Sequence, residues 1–169
     1  DKSGIWEGFI PGIAKGEVYK YFVKGFDESE HLKGDPYARR WEHPPQTASI
    51  VWDTDYTWKD KTWLNKRAKL NALDQPISVY EVHVGSWERD PDNPERVLTC
   101  REVANRLVPY VKEMGFTHVE LMPVMEFPFF PSWGHQITGY FGASSRYGTP
   151  QDLMYLIDPL HKANIAVIL

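Results

Sequence analysis

The 169-residue chain has a single cysteine, Cys100, which excludes an internal disulfide and a multi-cysteine zinc site and fits a reducing compartment. No apolar run is long enough to span a membrane, and the N-terminus shows neither an apolar h-region nor a cleavage pattern. The 19 basic residues are scattered rather than clustered and the formal net charge is −4, so the electrostatic footprint of a nucleic-acid binder is missing. No G-x-G-x-x-G or G-x-x-x-x-G-K-[ST] turn is present to cradle phosphates. His31, His43, His83, His118, His135 and His161 show no H-E-x-x-H or comparable spacing, so neither a metal nor a cofactor is expected. The expectation is a cytoplasmic protein without nucleic-acid or membrane partners, monomeric at full length.

Against these absences stand 42% hydrophobic and 14% aromatic residues, including seven Trp and nine Tyr. That composition argues against disorder, and aromatic rings serve equally as core filler and as platforms for sugar faces. Residues 1–55 carry short β-prone pieces, Ile5–Ile10, Glu17–Lys24 and Ala48–Asp53, separated by "PGIAKG", "GDPYA" and "HPPQ". This is the spacing of an antiparallel β-domain. Three or four strands are fewer than the roughly seven of an immunoglobulin-like β-sandwich, so the sandwich is expected to be partial and to begin before residue 1. Residues 56–75 read as a linker.

From Pro76 to Leu169 the texture changes to strand, helix, strand, helix, strand. "ISVYEVHVG" and "THVELMPV" read as strands. "REVANRLVPYVKEM" places Val103, Leu107, Val111 and Met114 at helical spacing. "TPQDLMYLIDPLHKAN" opens with Thr149 as a cap, Pro150 at the first helical position and Asp152 in the first turn. "IAVIL" is an apolar run suited to a strand buried on both faces. Pro109 and Pro159 are expected to kink or interrupt the two helices. A βαβαβ order implies parallel strands with right-handed crossovers. Without a Gly-rich phosphate turn, an incomplete (β/α)8 TIM barrel, with its first three strands and two helices, is favoured over an open nucleotide-binding sheet.

Between the second strand and second helix lies "SWGHQITGYFGASSRYGTP", residues 132–150, where Gly134, Gly139, Gly142 and Gly148 break any strand pattern. The stretch reads as a shaped loop at the C-terminal face, where barrel enzymes build their sites. It is a candidate substrate wall; the alternative is a lid over a hydrophobic edge. Glu81 and His83 share one strand face, as a proton-tuning pair or a packed polar pair. Glu120, Glu126 and Asp152 read as strand, loop and first-turn acids with structural roles, and His118 and His161 also read as structural.

"ISVYEVHVGSW", "GFTHVELMPVMEFPF", "SWGHQITGYFGASSRYGTPQDL" and "LHKANIAVIL" resemble the opening third of the catalytic barrel of bacterial 1,4-α-glucan branching enzymes, in the α-amylase superfamily. "GDPYA" and "TASIVWD" resemble the carbohydrate-binding module that precedes such barrels. The resemblance implies retaining cleavage of an α-1,4 glucan bond and transfer of the cut chain to a 6-hydroxyl. Such chemistry needs two carboxyl groups about 5 Å apart. In the family these follow later strands, so no catalytic residue is expected within this chain, and the chain alone is expected to be inactive. Trp133, His135, Gln136 and Tyr140 are the expected substrate-binding residues for an α-1,4-glucan, with His135 standing where most of the family has Tyr. Debranching or trehalose-releasing hydrolases of the same superfamily, or a non-catalytic glucan-binding module, are the alternatives.

Overall fold

The computed structural model describes Gly4 and residues 7–169. In the N-terminal part, β1 (Val18–Tyr19), β2 (Tyr21–Lys24), β3 (Glu30–Lys33), β4 (Arg40–Trp41) and β5 (Ser49–Ile50) are all short. They form an antiparallel three-stranded sheet ordered β1-β5-β4 and a separate β2-β3 hairpin. Every residue of the hairpin strands is exposed, so the partial sandwich expected here is represented by two small antiparallel sheets rather than a closed core among the described residues. Ile5 and Trp6 of the strand expected over Ile5–Ile10 lie outside them, and Glu7–Ile10 carry no strand.

Residues 56–75 contain a helix where a linker was expected, α1 (Lys61–Leu70). Only Trp63 of α1 is buried, which leaves little apolar periodicity to read. Tertiary contacts hold it instead: the Trp63 ring stacks on His161 at 5.1 Å, and His161 Nδ1 lies 2.8 Å from Asp60 Oδ2 at the helix N-cap.

The remaining elements are β6 (Val79–His83), α2 (Cys100–Glu113), β7 (His118–Met122), β8 (Met125–Glu126), β9 (Gly139–Ala143), α3 (Pro150–Lys162) and β10 (Ala166–Ile168). β6, β7 and β10 form a parallel sheet with β7 in the centre. Val82, Val119 and Leu121 point to one face, where Val103, Leu107 and Val111 of α2 and Leu156 and Leu160 of α3 close the core. Each fully buried Val or Leu contributes about 1.5–3 kcal/mol. Both helices start with capping boxes, Thr99 with Glu102 and Thr149 with Asp152.

Three expectations change. Pro109 and Pro159 do not interrupt their helices. Pro109 and the Asn105 residue whose carbonyl loses its partner are both exposed, so water replaces the missing bond. Of the "IAVIL" run, Ile165 and Ala166 are buried, while Ile168 is 38% and Leu169 67% exposed on the outer strand of this three-stranded sheet.

The stretch 132–150 is also not all loop, since it contains β9, which pairs with β8. Gly139 and Gly142 lie within that strand and admit a side chain rather than break it. A Cβ on Gly142 would lie 2.7 Å from Trp41 Cδ1 and 2.9 Å from its Nε1, and one on Gly139 would overlap the same indole. Trp41, 6% exposed, thus joins β4 to β9. Gly142→Ala is expected to lower stability by about 1–3 kcal/mol through overpacking, despite the usual gain from replacing a strand glycine. A shift of the urea midpoint to lower concentration checks it, and an unchanged or higher midpoint contradicts the close packing.

Candidate functional site

The long connection after β7 builds a cleft at the C-terminal end of the parallel sheet. A 3-10 turn, Phe130–Ser132, leads into Trp133, whose φ of 55° is left-handed and costly for a non-glycine residue. Gly134 follows at φ 84°, and a Cβ there would lie 2.8 Å from Pro123 Cγ. This turn leaves Trp133 68% exposed and 5.9 Å, ring to ring, from His83 at the end of β6. Trp133, His135 and Ile137 line a cleft of about 220 Å³ with Met122, Pro123 and Leu169. Among the described residues no Asp or Glu side chain lines it.

Of the four expected substrate-binding residues, the cleft brings together Trp133 and His135. Gln136 and Tyr140 are exposed but do not line it; Tyr140 stands on β9. Glu81 and His83 share the sheet face opposite the helices, where Glu81 sits beside Glu120 in the β6-β7 register. His83 Nδ1 meets Ser86 Oγ at 2.8 Å, while its buried Nε2 has no partner among the described residues. Burial holds the His83 imidazole below its ordinary range, and Arg89 lowers it further, against a backbone hydrogen bond that raises it.

The base of the loop rests on a pair that local sequence does not reveal. The Glu126 and Arg146 side chains are 3% and 8% exposed and 3.3 Å apart. Glu126 accepts from the backbone N–H of Phe127 at 3.1 Å and of Ser145 at 2.6 Å. Arg146 donates to the Phe127 carbonyl and, at 3.0 Å, to that of Pro128. Its guanidinium also lies 4.0 Å from the Phe127 ring centroid. The expected first-turn role of Asp152 is present: it accepts from the Thr149 backbone at 2.8 Å and meets Arg101. Among the described residues no three His, Cys, Asp or Glu side chains could hold a metal, and no helix is long and apolar enough to cross a membrane.

Residues 1–38 match the carbohydrate-binding module 48 (isoamylase N-terminal domain) family. All of the chain aligns at 57% identity with a 1,4-α-glucan branching enzyme of Aquifex aeolicus, covering 27% of that protein. A second, from Aromatoleum aromaticum, is 53% identical over the whole chain and 26% of its own length. Over its whole length the chain is thus similar to the opening part of 1,4-α-glucan branching enzymes. It spans about a quarter of the length of these relatives. A crystal structure of a Salmonella typhimurium protein described as an α-amylase superposes over 94% of the chain and 24% of its own, with TM-score 0.71 and 28% identity. That likeness places the fold in the α-amylase superfamily.

The His83 surroundings give a signed pH dependence. A histidine whose folded pKa lies below its unfolded value of about 6.5 contributes stability that is fully present above that value. The contribution is lost as pH falls from the unfolded toward the folded pKa. NMR titration is expected to place the His83 midpoint below that of an exposed histidine, and His83→Gln to flatten the stability profile there. A His83 midpoint at or above the exposed value contradicts the burial described.

Proposed function

We propose that the full-length protein carrying this chain is a 1,4-α-glucan branching enzyme of glycogen synthesis, cutting an α-1,4 bond with retention and moving the chain to a 6-hydroxyl. The observation that carries this is the identity above 50% with enzymes of that name across all 169 residues. In this reading residues 1–55 end a sandwich-type carbohydrate-binding module, 56–75 connect it, and 76–169 open a (β/α)8 barrel. The parallel β6-β7-β10 sheet with both helices on one face supports that layout. The setting is cytoplasmic and the substrate a glycogen- or amylose-type glucan.

Retaining transfer needs a nucleophilic carboxylate and an acid/base carboxyl on opposite sides of the bond. Among the described residues no Asp or Glu side chain lines the cleft, and the nearby Glu126 is committed to two backbone amides and Arg146. This supports a reading in which the two acids are supplied from elsewhere in the full-length protein. Trp133 gives an exposed apolar face for a sugar ring and His135 a flat ring with a hydrogen-bonding edge, while Gln136 and Tyr140 contact hydroxyls further along the donor chain. The module match over residues 1–38 favours a second role for the N-terminal part, holding glucan by itself.

The test is incubation with amylose, following the iodine complex, reducing ends and α-1,6 anomeric protons. The full-length protein is expected to lose iodine colour and gain α-1,6 signals without a matching rise in reducing ends. A rise in reducing ends alone indicates a hydrolase. Trp133→Ala is expected to lower kcat/KM about 100-fold, as loss of substrate positioning does, with a much smaller loss of melting temperature. Equal activity per folded molecule removes Trp133 from the site. The 169-residue chain alone is expected to give no turnover.

A further inference from the structure

We propose that Arg146 is a positioning residue for the glucan site: with Glu126 it clamps the base of the aromatic loop and so fixes where Trp133 presents its ring. This rests on the branching-enzyme reading for its effect on turnover, but the clamp itself is a matter of geometry. Arg146 sits just before α3 and Glu126 ends β8, so the pair ties the two ends of the loop together. One guanidinium spans three acceptors, Glu126 Oε1 and the carbonyls of Phe127 and Pro128, while its plane covers the Phe127 ring. Only the planar fork of arginine can do this; a lysine ammonium keeps the charge but not the span.

The clamped carbonyls lead directly into the turn that carries Trp133. Ser132 N donates to Phe129 O, Trp133 N to Phe130 O and His135 N to Ser132 O, each at 3.0 Å. Phe129 and Phe130 are themselves 53% and 41% exposed, so hydrophobic burial does little to hold this segment. Its anchor on the inner side is Phe127, fully buried under the guanidinium. Since Trp133 already occupies a costly left-handed conformation, releasing the anchor lets the turn relax away from it.

The test compares Arg146→Lys, Trp133→Ala and the double variant in the full-length protein, with amide hydrogen exchange alongside amylose kinetics. Arg146→Lys leaves no buried carboxylate without a cation, so the fold is retained. It is expected to speed exchange of the Ser132, Trp133 and His135 amides at least tenfold, with α2 and the β6-β7 ladder unchanged. It is also expected to lower kcat/KM about tenfold, and to cost much less when Trp133 is already Ala, because both act through one ring. The Arg146→Met/Glu126→Gln pair, which removes both charges, is expected to loosen the same amides. Unchanged exchange at 132–135 in both variants, exchange that rises equally throughout the chain, or kinetic effects that simply multiply would each overturn the proposal. If the full-length protein makes no α-1,6 linkages, the branching reading falls, and the exchange measurements still decide the clamp.

Discussion

A buried carboxylate holds the long connection after β7 in shape. Placing Glu126 away from water is costly unless its oxygens are fully occupied, and two backbone amides and Arg146 occupy them. Those partners come from residues 127, 145 and 146, so satisfying one side chain forces the chain to leave and return at one point. The β8-β9 ribbon, the 3-10 turn and the exposed Trp133 all hang from that closure.

The same connection ties the N-terminal part to the parallel sheet. β9 accepts the Trp41 indole against Gly139 and Gly142, and α3 holds the irregular segment leading out of β5. There Gln151 takes the Trp52 indole N–H at 2.9 Å and donates to the Asp53 carbonyl at 3.1 Å, while Asp158 accepts from Lys59 N at 2.8 Å. Trp52 itself lies between Lys15 and Arg40, whose cationic groups sit 4.2 and 3.8 Å from its ring. The Trp52 ring is thus engaged by two cation–π contacts.

Features carried by residues close in sequence were legible beforehand. The cap at Thr149, the helix over Val103–Val111 and the β6, β7 and β10 strands follow from spacings of three, four and two residues. The face shared by Glu81 and His83 is also local, since alternation alone decides it. Features that depend on distant partners were misread. α1 has one buried residue and is held by His161, about a hundred positions away, and the glycines of β9 looked like breakers because Trp41 was not yet beside them. The sequence grouped Gln136 and Tyr140 with Trp133 and His135 as one candidate site, and in the structure only the latter two line the cleft.

The sequence by itself determined the order of elements and the parallel sense of the sheet, because capping and periodicity are properties of neighbouring residues. Tertiary structure alone decided which polar groups are spent on the fold and which remain available. Glu126 read as a loop acid and became a buried anchor, whereas His83, which read as half of a proton-tuning or packed polar pair, kept a buried nitrogen without a partner among the described residues. The physical reason is that a hydrogen bond is complete only when both ends are placed, and for these groups the second end lies far along the chain or is not supplied by it.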